Sequence, residues 1–260
     1  MNQDAIVIRK CHTLEDMRAC LDLQKEVWNF TDIELVPLRM FVVADKIGGQ
    51  VIGGFAGSEL IAFAFAVPGA YRGHSYLHSH MLAVREEYRN SGLGRRVKLF
   101  QREDALARGF ELIEWTFDPL EIKNAYLNIE KLGAIARRYQ ANQYGITSSP
   151  LQGGLPSDRL VAEWWLKSKR VETLLTTGKY PAFDAMEKIS VPAQIYEWKT
   201  SSATRERAKA VQTSNREEFL KAFGGGLAVL GYERDAQGNG TFLLGRYDEP
   251  WLHVPDASLS

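Results

Sequence analysis

The sequence predicts a mixed α/β fold, and three features of the chain lead to this prediction. Strand-like segments dominate before residue 85 and are joined by short turns, as in antiparallel hairpins. Strands and helices alternate after that point, which is typical of a sheet with a parallel part. A polar helix and a second hairpin pattern follow residue 200. We therefore expect a mixed sheet with helices, followed by a C-terminal α/β extension.

The first elements are a strand and two helices. Residues 5–11 form a short apolar run that is typical of a strand. Thr13 is a suitable N-cap, and the apolar residues at helical spacing after it predict a helix that ends near Asn29. Pro37 suits the start of a second helix, which we expect to continue through Ala44.

The middle of the chain carries most of the predicted sheet. Hydrophobic patterns and turn residues predict strands at 51–56, 60–67, 75–84, 111–117, 135–144 and 157–166, and helices at 92–108 and 124–132. Gly109 and Gly133 end the two helices. Residues 147–157 are rich in proline and glycine and form a predicted loop.

The tail differs from the rest of the chain. Residues 167–192 form a mixed connector, residues 202–223 predict a polar helix, and residues 227–233 and 241–247 predict a hairpin. We therefore divide the chain into a core at residues 1–166 and an extension of unknown role at residues 167–260.

Composition excludes several classes of protein. The 260 residues include 32 Lys+Arg and 32 Asp+Glu, so the formal net charge is +0 and predicts neither a nucleic-acid nor a membrane partner. The longest apolar run, residues 60–67, is far shorter than the ~20 residues of a membrane helix. The two cysteines form no CxxC pair, and the N-terminus lacks a signal-peptide pattern. A cytoplasmic protein without a metal site is the simplest expectation.

The most informative stretch is Leu-Ala-Val-Arg-Glu-Glu-Tyr-Arg-Asn-Ser-Gly-Leu-Gly-Arg-Arg, residues 82–96. It is a strand end, a turn, and a glycine-bearing loop that opens a helix. Free N–H groups at a helix N-terminus bind phosphates, and Arg89, Arg95 and Arg96 could reinforce a diphosphate there. Five basic and no acidic residues lie between Arg89 and Arg102. The alternative is a tight turn before a solvated basic helix, and neither P-loop nor dinucleotide-fingerprint spacing is met.

Arg89-x-x-Gly92-x-Gly94, with Leu82-Ala83-Val84 upstream, resembles the pyrophosphate-binding motif of the GNAT superfamily of acyl-CoA-dependent N-acyltransferases. Residues 130–133, Glu-Lys-Leu-Gly, resemble the family's ending of the helix after the fifth strand. The order of elements is also similar, over about residues 5–166. The resemblance implies a GNAT fold, with a mixed and mostly antiparallel central sheet flanked by helices.

The resemblance also implies acetyl-CoA or another acyl-CoA as the co-substrate. Backbone groups at the strand end would contact the pantetheine arm, and backbone N–H groups of the loop would hold the diphosphate. Asn124 and Asn128 are less well matched, because the family's usual asparagine falls nearer Ile122. The implied cofactor-binding residues are Leu82, Ala83, Val84, Arg89, Asn90, Ser91, Gly92, Leu93, Gly94, Arg95, Asn124 and Asn128.

His78 and His80 are the candidate bases. They are two residues apart on a predicted strand and so share one face of it. Histidine titrates near neutral pH and suits the removal of a proton from an amine, directly or through water. The pattern His-x-His-x-Leu-Ala-Val resembles that of arylalkylamine N-acetyltransferases, and His78 falls where histone acetyltransferases of the superfamily place a catalytic glutamate. The alternative is a packed histidine pair without a catalytic role.

The candidate acid departs from the family pattern. Many GNAT enzymes have a tyrosine immediately before the Glu-Lys-Leu-Gly segment, where this chain has Ile129. Tyr126 lies three residues earlier and could substitute if the helix is rotated or shifted. Tyr139 and Tyr144 are lesser candidates, and a role for Glu114 as a second acid or base is not favoured.

The resemblance implies transfer of an acetyl or other short acyl group, for example succinyl, from acyl-CoA to a primary amine. A small molecule, such as an amino acid, is the expected acceptor. The alternative is a non-catalytic acyl-CoA-binding or regulatory module, for which the missing tyrosine is the sign. A sheet edge near the last core strands would favour a homodimer, unless the tail covers that edge.

Overall fold

The computed structural model describes residues 6–29, 34–71, 73–146 and 152–247. The chain divides into two compact units, Met1–Glu114 and Trp115–Ser260. The predicted boundary after residue 166 therefore falls inside the second unit, and the division into core and extension stays a prediction. Residues 147–151 of the predicted loop, and the end of the tail after residue 247, lie outside the described residues.

The first unit contains most of the elements predicted before residue 115. Its described elements are β1 (Ile6–Lys10), α1 (Leu14–Trp28), α2 (Leu38–Lys46), β2 (Gln50–Ala56), β3 (Glu59–Tyr71), β4 (His74–Val84), a single 3₁₀ turn (Glu86–Tyr88), α3 (Leu93–Ala107) and the start of β5 (Leu112–Phe117). Thr13 caps α1 as predicted, since its hydroxyl accepts the backbone N–H of Asp16 at 3.0 Å.

The strands of the first unit lie in the order β1-β2-β3-β4-β5. Neighbours from β1 to β4 are antiparallel, and β4 and β5 are parallel. The connection β4–α3–β5 is therefore the βαβ unit that the alternation after residue 75 predicts.

Apolar clusters cover both faces of this sheet. One face packs against α1 and α2 around Phe41, Phe63 and Phe65. The other face packs against α3, whose Leu93 and Val97 are buried. The two clusters hold the first unit together, because each buries one face of the sheet under a helical layer.

Strand β3 is longer than predicted and continues through Pro68. A proline inside a strand removes one hydrogen-bond donor from the ladder. Pairing with β2 ends at Ala66, so only β4 borders the strand at Pro68. A proline is tolerated there because β3 is an edge strand beyond Ala66.

The second unit contains the rest of the helices and strands. Its described elements after β5 are α4 (Ile122–Ala125), a π-helical turn (Tyr126–Lys131), β6 (Ile135–Gln140), β7 (Arg159–Trp165), α5 (Lys169–Thr177), β8 (Glu187–Val191), α6 (Ile195–Thr200), α7 (Arg205–Gly224), β9 (Leu227–Arg234) and β10 (Gly240–Arg246). The predicted tail hairpin is present as β9 and β10, which pair from Gly240↔Arg234 onward. None of the described helices is both long and apolar enough to cross a membrane.

The strand order in the second unit is β7-β6-β9-β10-β8, with antiparallel neighbours in each pairing described. Helix α7 packs on this sheet through Phe219, which stacks on Tyr139 and meets Phe242 edge-on. The antiparallel strands in both units confirm the predicted mixed α/β fold with a mostly antiparallel sheet and flanking helices.

Three predicted elements of the second unit differ from the structure. The continuous helix expected at residues 124–132 is a short α-helix followed by a π-helical turn. The strand expected at residues 135–144 ends at Gln140. The expected connector at residues 167–192 contains α5 and β8, and the helix α6 was not predicted. In each case, contacts distant in sequence override a weak local pattern.

Candidate active site

Strand β4, which carries both candidate histidines, is interrupted by a β-bulge. The pairing with β3 joins Phe65 to Met81 and then Ala66 to Ser79. His80 is therefore the extra residue on β4, because no residue of β3 lies opposite it. Bulges of this kind re-aim side chains and are frequent beside active sites.

The bulge changes which residues of β4 share a face. Ser79, before the bulge, hydrogen-bonds to side chains of α3, and Leu82, after it, packs in the cluster on the α3 side. Met81 packs with Phe65 in the opposite cluster. Strict alternation would place Ser79 and Met81 on one face, so the bulge reverses the alternation between them.

His78 and His80 lie together on the α1–α2 face of the sheet. Their ring centroids are 6.3 Å apart, with planes inclined by 36°. The His80 ring also meets Phe65 edge-on at a centroid distance of 6.3 Å. The two-residue spacing thus brings the histidines together, as predicted, although a bulge lies at the second of them.

The environment of His80 favours its neutral form. The residue is exposed to solvent, yet the surrounding protein atoms desolvate its ring enough to lower the pKa of His80 below its ordinary value. A neutral imidazole at pH 7 is the form that can accept a proton from an amine. This electrostatic environment suits a general base.

After His78, one edge of β4 carries backbone groups that are not paired with β5. Parallel pairing with β5 joins only Leu77 to Ile113 and His78 to Glu114, whereas pairing with β3 continues to Val84. The edge of β4 that faces away from β3 is therefore not paired with β5 over residues 79–84 of the described chain. Leu82, Ala83 and Val84 lie on this edge, where the resemblance to GNAT proteins implies contacts with pantetheine.

The loop between β4 and α3 has the conformation that its sequence predicts. Asn90 has a positive φ of 60°, and Gly92, at the N-cap of α3, has a φ of 84°. No atom lies within 4 Å of the position that a Cβ of Gly92 would take, so its backbone conformation and not crowding requires glycine there. Because glycine has no side chain, the N-cap leaves the first turn of α3 open to an anion.

Two side chains fix the loop that precedes α3. The Arg89 Nε donates to the backbone carbonyl of Val84 at 3.0 Å, which ties the loop to the end of β4. The Ser91 hydroxyl donates to the carbonyl of Tyr88 at 2.6 Å, and its oxygen lies 3.4 Å from the backbone nitrogen of Leu93. The predicted binding residues Arg89–Leu93 therefore form one ordered turn.

Two basic residues that follow the loop, Arg96 and Lys98, have partners within the protein. Arg96 donates from a terminal guanidinium nitrogen to the carbonyl of Ile6 at 2.9 Å, and Lys98 is only 2% exposed. The Arg96 guanidinium thus binds the end of β1, and its contact with a diphosphate stays a prediction. Arg89 and Arg95 stay the proposed cations at the mouth of the loop.

The side chain of Lys98 belongs to a buried polar network on the α3 side of β4. Its Nζ donates to Ser79 Oγ at 3.1 Å and to Gln101 Oε1 at 2.7 Å. Gln50 Nε2 extends the network to the Gln101 carbonyl and to Asp104. Burial lowers the pKa of Lys98 well below its ordinary value, because desolvation disfavours the ammonium form.

Sequence reasoning missed this network, although one signal was present. Leu93, Val97, Gln101 and Ala105 are four residues apart and form the buried stripe of α3. A glutamine on such a stripe must be buried, and it therefore needs a polar partner. The partners are Ser79, between the two histidines, and Lys98, one of the five basic residues in the stretch from Arg89 to Arg102.

The remaining predicted site residues belong to the second unit. Asn124 is exposed on α4, whereas Asn128 is buried in the π-helical turn and its backbone carbonyl accepts the Ala134 N–H at 3.0 Å. Tyr126 is half-buried and opens the turn. The Lys131 ammonium lies 4.9 Å and the Arg234 guanidinium 5.7 Å from the centroid of its ring. These contacts place the ring of Tyr126 beside two cations.

The other tyrosine candidates have structural partners. Tyr139 donates its hydroxyl proton to Asp158 at 2.6 Å, and burial together with this carboxylate raises the pKa of Tyr139. The Tyr144 hydroxyl lies 3.2 Å from Thr116 Oγ1. Ile129, at the position of the family's usual tyrosine, is fully buried. Tyr126 stays the predicted proton donor.

Solved structures share part of this fold. The structure of yncA from Salmonella typhimurium, solved with its cofactor acetyl-CoA, is similar with a TM-score of 0.51 and 15% identity, over 63% of this chain and 95% of that chain. An N-acetyltransferase from Staphylococcus aureus Mu50 is similar with a TM-score of 0.50 and 16% identity, over 62% of this chain and 99% of that chain. A proposed GNAT-family acetyltransferase from Desulfovibrio desulfuricans has a TM-score of 0.50 and 15% identity, over 62% and 99% of the two chains.

These similarities define a class of fold. No protein-family model matches the chain, and a search of the curated proteins gives no match. The chain has the fold of GNAT-family acetyltransferases, which confirms the fold that its Arg89–Gly94 motif implies. The shared fold covers 63% of the chain in the comparison with yncA, so more than a third of the chain lies outside it.

Proposed function

We propose that this protein is an acyl-CoA-dependent N-acyltransferase that transfers an acetyl or another short acyl group, such as succinyl, to a primary amine. One observation carries the proposal: three features follow one another within residues 78–94. They are the histidine pair, the part of β4 whose edge is not paired with β5, and the open N-terminus of α3. The fold supports the same reaction class, since a similar structure contains acetyl-CoA. A small molecule such as an amino acid is the proposed acceptor, in a cytoplasmic protein.

The residues of the loop fit the diphosphate of an acyl-CoA. α3 is 15 residues long and begins at a glycine N-cap with open space around it. Its backbone dipoles and the guanidinium groups of Arg89 and Arg95 favour a bound anion. The bound co-substrate would supply a thioester with an electrophilic acyl carbon.

The histidines fit the proton transfer. An amine with a pKa of about 10 is mostly protonated at pH 7 and has no lone pair for attack. His78 or His80 accepts the proton, directly or through water, and the amine nitrogen then forms a C–N bond to the acyl carbon. The C–S bond breaks, and the sulfur leaves with its electron pair. Tyr126 is the proposed donor of a proton to this thiolate.

Acyl-CoA binding is tested by a matched pair of glycine variants. Gly92 and Gly109 lie at opposite ends of α3 with φ of 84° and 82°, and at neither residue does an atom lie within 4 Å of the position that a Cβ would take. Alanine therefore introduces similar backbone strain, about 1–2 kcal/mol, at both positions. We expect Gly92→Ala to weaken acetyl-CoA binding in calorimetry at least about tenfold more than Gly109→Ala does. Equal affinities, or no binding of acetyl-CoA or succinyl-CoA by the unmodified protein, would contradict the binding site.

Catalysis is tested by thiol release from acetyl-CoA and succinyl-CoA in the presence of a broad panel of amines. We expect at least one donor and amine pair to release free thiol with formation of the amide. Replacing both histidines, as His78→Ala with His80→Ala, should lower kcat at pH 7 by roughly 10²–10⁴-fold, the usual contribution of general-base catalysis. Full activity of the double variant across pH would show that neither histidine is the base.

A non-catalytic acyl-CoA-binding module is the second candidate, favoured by the buried Ile129 at the usual tyrosine position. The two functions differ in one outcome. A module binds acyl-CoA in calorimetry but releases no thiol with any amine, whereas an enzyme does both. Loss of a thiolate needs no strong acid when its pKa is low, so the isoleucine is also compatible with an enzyme.

A further inference from the structure

Glu114 is the last residue of the first unit. Its carboxylate has no assigned role in the proposed reaction. It lies on β5 and is 6% exposed. Buried carboxylates require hydrogen-bond or charge partners, because transfer of an ionised group out of water is costly. The position of Glu114 in the sheet indicates which partner it serves.

Strand register places Glu114 directly beside His78. The two residues are paired Cα partners in the parallel β4–β5 ladder. Paired residues on neighbouring strands point to the same face, and strands in a sheet lie about 4.7–4.9 Å apart. A glutamate side chain can therefore reach an imidazole ring on the adjacent strand. The pair lies where the β4–β5 pairing ends, next to the open edge of β4.

His78 and His80 consequently have different neighbours. His80 has the apolar ring of Phe65 beside it, whereas His78 has a carboxylate. On β3, the residue opposite His78 is Val67, which carries no charge. Helix α1 also packs on β4; of its four acidic residues, Asp16 and Glu26 are paired with Arg9 and Arg85, and Glu15 and Asp22 are exposed. Two neighbouring titratable groups whose environments give them different pKa values usually have separate roles in acid–base chemistry.

We propose that Glu114 is a positioning residue for His78. Its carboxylate accepts a hydrogen bond from one ring nitrogen, which fixes the tautomer and leaves the other nitrogen free to accept a proton. The same negative charge stabilises the imidazolium that forms when the amine proton reaches His78. The proposal rests on the proposed acyltransferase function and selects His78 as the final proton acceptor, with His80 as its neutral neighbour.

The first test is an NMR titration of the histidine rings in the unmodified protein, which needs no turnover. Resonances are assigned with His78→Asn and His80→Asn variants. We expect His78 to titrate at a higher pH than His80, because His78 is paired with Glu114, whereas the ring of Phe65 lies beside His80. A midpoint for His78 at or below that of His80 would overturn the proposal, whether or not any Glu114 variant folds.

The second test compares Glu114→Gln with Asp104→Asn. Asp104 is a partly buried carboxylate of α3 that pairs with Lys10 and Arg108 on the other face, so its loss controls for general destabilisation. We expect Glu114→Gln to lower the pH at which His78 titrates, to leave His80 nearly unchanged, and to lower kcat about tenfold with little change in KM. Asp104→Asn should change neither midpoint.

The outcomes separate the two proposals. An unchanged His78 midpoint in Glu114→Gln, or an equal shift in Asp104→Asn, would overturn the role of Glu114. Absence of acyl transfer by the unmodified protein, together with the expected histidine midpoints, would overturn the enzyme proposal and leave the Glu114–His78 pair supported.

Discussion

The two units bury polar groups in different ways. In the second unit, the buried carboxylate of Glu163 lies between Arg137 and Arg138, at 2.8 and 3.1 Å, and also accepts the indole N–H of Trp165. In the first unit, the amine of Lys98 is buried against the neutral oxygen atoms of Ser79 and Gln101. The buried carboxylate of Glu163 thus has opposite charges beside it, whereas the two described hydrogen bonds of the Lys98 amine are to neutral oxygen atoms.

The difference bears on what each interior does. Matched charges with several hydrogen bonds fix one arrangement of strands, and the removal of one partner is costly. A basic group that is held by neutral dipoles is expensive to bury, and such groups are retained more often near functional sites than elsewhere. Lys98 holds Ser79, which lies between the two candidate histidines. The interior of the second unit is therefore expected to respond to mutation mainly through stability.

The largest effect is expected for Glu163→Gln. The substitution keeps the shape of the side chain but leaves Arg137 and Arg138 without their counter-charge, so we expect a loss of about 3–5 kcal/mol in the free energy of unfolding at pH 7. Although burial opposes ionisation, the Arg137 hydrogen bond and the two arginine charges hold the pKa of Glu163 below its ordinary value. The difference between the two proteins should therefore be largest above the unfolded pKa and disappear as the pH falls through the lowered pKa of Glu163.

The measurement is urea unfolding at pH 7 and at acidic pH. Glu206→Gln serves as the control, since Glu206 is 83% exposed and its ion pair with Lys209 is 4.0 Å long. An exposed pair contributes about 0–1 kcal/mol. A Glu163→Gln effect no larger than that of the control would mean that the second unit does not depend on matched charges.

An intermediate effect that depends on pH is expected for Lys98→Met. The pKa of Lys98 is lowered in the folded protein, so the unfolded chain binds more protons at pH values between the two pKa values. The unmodified protein should therefore gain stability as the pH rises toward about 10.4, by up to about 1.4 kcal/mol per pH unit. Lys98→Met lacks this contribution.

Unfolding of both proteins by urea at pH 7, 8 and 9 measures this difference. Lys209→Met, at a 57% exposed lysine, is the matched control and should retain the pH dependence of the unmodified protein. Equal pH dependence in Lys98→Met and the unmodified protein would show that Lys98 is charged in both states. The proposed difference between the buried charge of Glu163 and the buried neutral amine of Lys98 would then be wrong.

The smallest effect is expected for Ser79→Ala. The hydroxyl of Ser79 donates to Gln101 Oε1 at 3.1 Å, but Lys98 still donates to that oxygen after the substitution. We expect a loss of about 1 kcal/mol in the free energy of unfolding. In a double-mutant cycle with Lys98→Met, a coupling energy of at least about 0.5 kcal/mol is expected, because the two side chains are in contact. Additive effects would show that the network does not act as a unit.

Much of the fold could be predicted where the hydrophobic pattern is strong. The helix expected at residues 92–108 is Leu93–Ala107, and the tail hairpin is present as expected. The π-helical turn could not be predicted, because the apolar pattern of residues 124–132 is the same for either helix. Its defining contact, from the Leu132 N–H to the Leu127 carbonyl at 3.1 Å, depends on the packing of the turn.

The candidate site was predicted in part, for a similar reason. The Arg89–Gly94 loop and the histidine pair are local in sequence, so their pattern indicates their position. The burial of Lys98 was not predicted, because a sequence does not show which side of α3 meets the sheet at that residue. The pairing of His78 with Glu114 arises from a βαβ crossover, and only the register of the folded sheet reveals it.

The bulge at His80 inserts one extra residue into β4 and so shifts the alternation of side chains between the two faces by one position. Residues up to Ser79 are assigned to the two faces in one phase, and residues from Met81 onward are assigned in the other. A deletion of His80 would restore one phase along the strand. Met81 and Leu82 would then follow Ser79 in regular alternation and keep the faces that they occupy now.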